Sequence, residues 1–228
     1  MDKKLLLLLG ITLITQATTN LVGGIVGIGP FTDTSNMATA LIDVSVNIGG
    51  IYAGIFLQII TSVVIVALGA ALYQTGKHIN KTAAIIAMGL YIVEAIIHII
   101  GQLPVFAITE VSKVFAETGD AALLTYAQFL FASREFIGAI TMIPFGVGAI
   151  IFYVLILKAG LIPKWLGLWG LITVPLILVG WTLEAFSVVS VPFIIYVPYV
   201  PWEWVAGICI LIKSLKTIHN AELIGSGI

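Results

Sequence analysis

The sequence predicts an all-α fold, a polytopic bundle of transmembrane helices. Three observations predict it. Of the 228 residues, 60% are hydrophobic and only 9% are charged, whereas soluble domains carry about 25% charged residues. The mean hydropathy of the chain is +1.17. Apolar runs of helical length also follow one another with only short polar connections between them.

Six of these runs are long enough to cross a hydrocarbon core of ~30 Å, which takes about 20 helical residues. They lie at roughly residues 4–28, 47–75, 82–103, 130–157, 165–187 and 192–213. About six spans use nearly the whole chain, so residues 1–228 are predicted to form a single transmembrane helical domain.

The first run follows Lys3 and Lys4 and reads LLLLLGITLITQATTNLVGGIVGI. A secretory signal peptide with a weak small-residue cleavage site near Ala17 would begin in the same way. The apolar character resumes through Ile28, beyond the length of a usual signal-peptide core, so we predict a retained first span. A cleaved signal remains the alternative.

The lysines predict the orientation of the bundle. Eight of the ten basic residues fall on one side of the predicted spans: Lys3, Lys4, Lys77, Lys81, Lys158, Lys164, Lys213 and Lys216. Positively charged loops stay in the cytoplasm, so both termini are predicted to be cytoplasmic and the protein to be a multi-pass protein of the cell membrane.

Two segments near the opposite side need separate treatment. Residues 107–128 mix apolar with acidic residues and predict an amphipathic segment in the membrane interface that ends near Gly119. A lid over the bundle is the alternative for this segment. In the last run, Pro198 and Pro201 predict a bent helix.

The stretch LKAGLIPKWLGLWGLI, residues 157–172, resembles the connection between late spans in the domain of unknown function 4386 family of prokaryotic membrane proteins. The segments YIVEAIIHII and FASREFIGAI are similar in kind to the charged middle helices of that family. The resemblance implies packed transmembrane helices, a membrane location and no established activity, and it names no catalytic residue. No basic residue precedes Glu94 here, unlike the paired charges that the family pattern suggests.

Charge and cysteine content exclude several partners. A net charge of -1 with scattered lysines offers no basic surface, so no nucleic acid partner is expected. Cys209 is the only cysteine, which leaves no disulfide and no thiolate metal site. We expect membrane lipids as partners, a small molecule or ion as a possible ligand, and no metal or other cofactor. The oligomeric state is left open by the sequence.

Charged side chains within the spans must face protein or water, because each costs about 2.5–3.5 kcal/mol at the middle of a bilayer. Tyr91, Glu94, His98 and Gln102 share one face of the third predicted span. A second polar and small-residue face runs through Asp43, Asn47, Gly50, Gly54 and Gln58. The candidate ligand-binding residues are Tyr91, Glu94, His98, Arg134, Glu184, Glu203 and Asn47.

Three hypotheses explain these residues. In the first, Arg134 is the fixed cation for the buried acids, and pairs of Glu94 with Arg134 or His98, and of Glu184 with Arg134, only order the helices of a structural or accessory subunit. In the second, the acids outnumber the cations because they form an outward-facing site that binds or transports a small cationic or amphipathic ligand, or protons.

The third hypothesis is an intramembrane enzyme. Glu94 and His98 are spaced as two metal ligands, and Glu184 or Glu203 would supply a third. No metalloprotease or serine-nucleophile signature accompanies them, so no catalytic residue is assigned.

Overall fold

The computed structural model describes residues 3–31, 33–186, 188 and 191–225, and within these residues it contains helices and turns but no strand. The α-helices of the described residues are α1 Lys3–Val26, α2 Met37–Val46, α3 Ile48–Gly76, α4 Lys81–Ile100, α5 Gln102–Thr118, α6 Ala122–Lys158, α7 Lys164–Ala185 and α8 Trp202–Gly225. Short 3-10 turns lie at Gly29–Phe31, Phe193–Ile195 and Val197–Tyr199.

Within the described part of the chain, five helical segments are long and apolar enough to cross a membrane: α1, α3, α4 continued by α5, α6 and α7. They coincide with the first five predicted spans, and the prediction of a polytopic helical bundle is confirmed. The sixth predicted span corresponds to α8, which begins at Trp202 and not near residue 192.

Six helices form a closed ring. Neighbours around it are α1 with α3, α3 with α4, α4 with α6, α6 with α7, α7 with α8, and α8 with α1. The centre of the ring is an apolar core built around the fully buried side chains of Leu9, Leu68, Phe152 and Trp202. Because the outward faces of these helices remain apolar, with Phe56 and Val63 of α3 each more than 60% exposed, the ring presents a lipid-compatible surface.

A second, smaller layer lies beside one end of the ring. Here α2 and α5 pack against the first turns of α6 around a separate core that includes Leu41, Val44 and Ile108. The predicted interfacial segment is helical and ends at Gly119, whose φ of +64° is the left-handed conformation in which helices commonly stop. α6 begins at Ala122, eight residues before the predicted span, and α2 was not predicted.

The predicted bend at Pro198 and Pro201 is wrong, since the helix breaks there. The chain from residue 191 to residue 201 contains two 3-10 turns, and α8 starts directly after Pro201. Trp169 Nε1 donates to Pro198 O at 2.8 Å, and Trp202 Nε1 donates to Leu166 O at 2.8 Å. These bonds connect the start of α8 and the turn before it to the first two turns of α7. Non-helical backbone within a membrane protein must lie against other parts of the protein, and the segment from residue 191 to residue 201 packs on α7.

The lysine-bearing helix ends lie together. Lys213 Nζ donates to Gly160 O in the α6–α7 turn, and a shallow groove brings Leu5 of α1 beside Lys77 after α3 and Ala159 after α6. We call this end of the ring the lysine end and the opposite end the far end. The cytoplasmic location of the lysine end remains a prediction from the positive-inside rule.

Candidate functional site

A hydrogen-bonded carboxylate lies in the middle of the ring. Glu203, in the first turn of α8, is 7% exposed and accepts a hydrogen bond from Tyr199 Oη at 2.7 Å on Oε1. When the Gln16 amide is oriented by its surroundings, its nitrogen donates to Oε1 at 3.1 Å and to Oε2 at 3.0 Å. Tyr199 Oη also lies 3.0 Å from Tyr153 Oη. Residues of α1, of α6 and of the 3-10 turn Val197–Tyr199 therefore form the hydrogen-bonded surroundings of Glu203 in α8.

A second carboxylate, Glu94, is buried without such donors. Its side chain is 4% exposed, and Oε2 has no hydrogen-bond partner among the described residues. Glu94 interacts electrostatically with Glu203, and both acids interact with Tyr91 and Tyr153. We call Glu94 and Glu203 the acid pair.

Tyr91 lies one helical turn before Glu94 and belongs to the core. Its ring meets Phe152 edge-on at 5.0 Å between centroids and fits between Gly69 of α3 and Gly148 of α6. A methyl group added at Gly148 would lie 2.9 Å from the Tyr91 ring. Tyr91 therefore sets the spacing of α3, α4 and α6 and stands beside the acid pair.

A cleft of about 830 Å³ opens in the far half of the ring, between α1, α3, α4, α6 and α7, with the first turn of α5 in its wall. Three of the predicted site residues line it, His98, Arg134 and Glu184. The other polar side chains in its wall are Gln58, Gln102, Glu135 and Thr141. Its apolar wall is formed by Ile28, Ile51, Ile55, Val105, Phe136, Ile137 and Trp181. The cleft thus combines a mainly apolar wall with a few polar side chains.

The charged groups of the cleft differ in how they are held. Glu184 accepts from Tyr196 Oη and from the Val191 amide, each at 2.9 Å. His98 Nδ1 lies 3.0 Å from Ser62 Oγ on α3. Arg134 interacts electrostatically with its neighbour Glu135, but no carboxylate of the described residues lies within 4 Å of its guanidinium.

The expected ion pairs are absent from the described part of the chain. Glu94 pairs with neither Arg134 nor His98, and Glu184 does not pair with Arg134, because His98 is hydrogen-bonded to Ser62 and Glu184 to Tyr196. The one ion pair among the described residues joins Lys113 and Glu110 on α5, at 2.6 Å.

Asn47 lies outside both sites. It is exposed at the junction of α2 and α3, and its side chain donates to Asp43 O at 2.7 Å. One helix ends and the next begins at this residue, so Asp43 and Gln58 are on different helices and the predicted polar face between them is not continuous. Gly54 and Gln58 do line the cleft, opposite His98 and Gln102 of the other predicted face.

Sequence reasoning did not single out Gln16, Tyr153 or Tyr199, which complete the surroundings of Glu203. The signal for Gln16 was present, because a glutamine in an apolar membrane helix needs a polar partner on a neighbouring helix. The metal hypothesis finds no support in the described residues, where no three His, Cys, Asp or Glu side chains are grouped as metal ligands.

Comparison with known families adds one finding. The family model described as Domain of unknown function (DUF4386) matches residues 8–214. The chain belongs to this family. The resemblance predicted from residues 157–172 is thereby confirmed. No curated protein and no solved structure matches the chain.

In this DUF4386 protein, the segment that carried the resemblance forms the tight connection between α6 and α7. Gly160 takes a φ of +65°, a conformation that few residues other than glycine adopt, and Leu161 and Ile162 turn into the core. Pro163 then precedes the first residue of α7. The matched region also contains the acid pair and all residues that line the cleft.

Proposed function

We propose that this DUF4386 membrane protein binds a small amphipathic molecule in the cleft. The observation that carries the proposal is the cleft itself, about 830 Å³ of space between membrane-spanning helices with a mainly apolar wall. Such a volume lies within the range of small-molecule sites, and a bundle interior is one of the usual places for them.

The polar groups indicate which part of the ligand they would contact. Arg134 presents guanidinium donors in the cleft without a carboxylate within 4 Å among the described residues. Glu184, by contrast, already accepts two hydrogen bonds. A head group that accepts hydrogen bonds, such as a carboxylate or a phosphate, therefore suits the cleft better than the cationic head group favoured by the sequence.

Photo-crosslinking tests the proposal. The probes are three amphiphiles with a diazirine in the alkyl tail: a fatty acid, a lysophosphatidylcholine and an alkyltrimethylammonium. With the protein in lipid nanodiscs, we expect crosslinks on residues 132–141 and 181–185, competed by unlabelled probe and strongest for the fatty acid and the lysophospholipid.

A matched pair of glycine variants separates the cleft from the lipid-facing surface. Gly138 lines the cleft, and a Cβ atom added there would have nothing within 4 Å, so Gly138→Leu should add apolar volume at the cleft wall. Gly89 on α4 is equally open but lies outside the cleft. Gly138→Leu should remove the competed crosslinks and Gly89→Leu should keep them. Labelling spread over exposed residues such as Phe56 and Val179, unchanged by Gly138→Leu, would refute the proposal.

The side from which the ligand enters follows from the positive-inside rule. On a Cys209→Ala background, single cysteines at the exposed positions 33 and 117 should react with an impermeant thiol reagent in intact cells. Cysteines at the exposed positions 79 and 164 should not react. Labelling at 79 or 164 would place the lysine end outside and the cleft mouth on the cytoplasmic side.

A structural or accessory role is the second candidate. The complete hydrogen bonding of Glu203 favours it, because such a network joins three helices without a ligand. The crosslinking experiment decides between the two, since a purely structural subunit offers no competed site.

A further inference from the structure

We propose that the acid pair is a binding site for one positive charge inside the ring, occupied by a proton or an alkali-metal ion. This site lies outside the wall of the cleft, and the inference does not depend on the cleft binding a ligand. It starts from the two buried carboxyl groups of Glu94 and Glu203, which interact electrostatically.

The hydrogen bonds give the two carboxyl groups different roles. The hydrogen-bond partners of Glu203 among the described residues are both donors, namely the Tyr199 hydroxyl and the Gln16 amide nitrogen. Donors on both oxygens suit an ionised carboxylate, which can only accept. Glu94 has no donor on its buried Oε2 from any described residue, so nothing compensates a negative charge there.

Among the described residues, no fixed cation is placed beside the acid pair. α3 carries no charged residue from 48 to 76, and Lys81 begins α4 at the lysine end, where the lysines of α1, α6 and α7 also lie at the ends of their helices. Lys213 of α8 is at the same end, where it donates to Gly160 O. The ionisable groups that face Glu94 are Tyr91 on its own helix, Tyr153 of α6 and Glu203 of α8. Arg134 of α6 and Glu184 of α7 lie in the cleft wall, and the Lys113–Glu110 ion pair is on α5.

Two negative charges buried together without a cation are strongly unfavourable, because both lose hydration and each repels the other. Occupancy by one positive charge removes this cost. A proton from water would bind to Glu94 and leave Glu203 ionised. An alkali-metal ion would instead lie between the two carboxylates, both ionised.

His98 lies between the cleft and the acid pair. His98 lies one helical turn beyond Glu94 on the same face of α4, and it lines the cleft. Its ring is fixed by Ser62 of α3. The wall of the far-end cleft therefore comes within one helical turn of Glu94. Beside the acid pair, the rings of Tyr153 and Trp202 stack at 3.9 Å between centroids.

Infrared difference spectroscopy of the full chain in nanodiscs tests the inference. A protonated carboxyl group in an apolar environment gives its own carbonyl stretching band, which shifts in D2O. At neutral pH, wild type should show such a band, and Glu94→Gln should lose it. Glu110→Gln is the matched control, because Glu110 is an exposed glutamate paired with Lys113, and this variant should keep the band.

The choice of salt distinguishes the two occupants. If the band is equal in sodium, potassium and N-methylglucamine chloride, the occupant is a proton. If it appears only in N-methylglucamine chloride and disappears on addition of sodium or potassium, the occupant is an alkali-metal ion. Glu203→Gln removes one of the two acids and should abolish any such effect of sodium or potassium.

The absence of a band that depends on Glu94, together with the absence of any effect of sodium or potassium, would overturn the inference. Should Glu94→Gln fail to fold by circular dichroism and gel filtration, Glu94→Asp keeps the carboxyl group and should move the band; an unmoved band would equally overturn it. Loss of crosslinking in the cleft would leave these spectra unaffected, so the two proposals fail separately.

Discussion

The space between α1 and α7 is filled differently in the two halves of the ring. Towards the lysine end it is occupied by α8, which approaches α1 so closely that a methyl group on Gly10 would lie 3.0 Å from Gly207 O. Towards the far end the same two helices face the cleft, since α8 does not extend there. The chain from residue 191 to residue 201, which leads into α8, packs on α7 through Tyr196 and Pro198.

The difference shows that the cleft results from where α8 starts. A continuous helix over residues 192–213 would fill the far half as α8 fills the lysine half. α6 and α7 each remain helical through a single proline, Pro144 and Pro175. Pro198 and Pro201 lie only three residues apart and both lack an amide hydrogen; here the chain forms 3-10 turns, and the far half keeps its cavity. The same break places Glu203 at the first turn of α8, in the middle of the ring.

The largest expected loss of stability comes from a substitution in the half of the ring that α8 fills. Trp202 is fully buried, donates to Leu166 O and stacks on Tyr153. Trp202→Ala should lower the free energy of unfolding by about 3–5 kcal/mol, because it removes a large core side chain. Unfolding by SDS in mixed micelles measures this. Trp165→Ala, at a 55% exposed tryptophan, is the control, and equal losses in the two variants would contradict the difference in packing.

A smaller loss of stability is expected at the wall of the cleft, where the backbones of α1 and α3 are in contact. A methyl group on Gly54 would lie 2.8 Å from Gly23 O of α1 and 2.4 Å from Gly27 Cα just after α1, so Gly54→Val must push the two helices apart. We expect a cost of about 1–3 kcal/mol in the same unfolding measurement. Gly49→Val, at an open position of the same helix, should cost less; the opposite order would place the contact of α1 and α3 elsewhere.

Gln16 of α1 is hydrogen-bonded to Glu203 of α8, and its substitution should lower the free energy of unfolding by less. Gln16→Leu removes the amide donor from Glu203 while Tyr199 still donates, so we expect a cost of about 0.6–1.7 kcal/mol, the range of single hydrogen bonds between membrane helices. Gln74→Leu, which loses only a surface bond to Lys77, is the control. If Gln16→Leu left the free energy of unfolding unchanged, Glu203 would have another hydrogen-bond donor.

The smallest effect on stability is expected at Arg134. Its guanidinium has no carboxylate within 4 Å among the described residues, so Arg134→Leu should leave no acid without its partner. Its thermal unfolding in detergent should match that of Lys113→Leu, while its preference between the fatty acid and the ammonium probe should disappear. Marked destabilisation of Arg134→Leu alone would restore the ion-pair hypothesis.

Most of the fold could be predicted because lipid-facing helices must be apolar over a fixed length. Five spans coincide with helices for this reason. The start of α8 could not be predicted from hydropathy, since the residues between Pro192 and Pro201 are as apolar as a helix would be. The short helix α2 carries its signal in Asn36, whose side chain accepts from the Thr39 amide, but ten residues are too few for a span.

The candidate site was predictable in its residues and not in their partners. Helical phase correctly put Glu94 and His98 on one face of α4, with Glu94 buried and His98 in the cleft wall. Which group each would meet depends on the rotation of the neighbouring helices. Ser62 for His98 and Tyr196 for Glu184 were available only once those helices were placed.

The contact between α1 and α8 has a consequence for biogenesis. It joins segments that are synthesised far apart in time: at about 5–20 residues per second, roughly 10–35 s pass between the completion of α1 and the appearance of Glu203. Gln16 must remain in the bilayer or at the insertion machinery without its native partner during that interval. Closure of the ring is therefore a late, non-local step, because α1 can form its contact with α8 only after α8 has been synthesised.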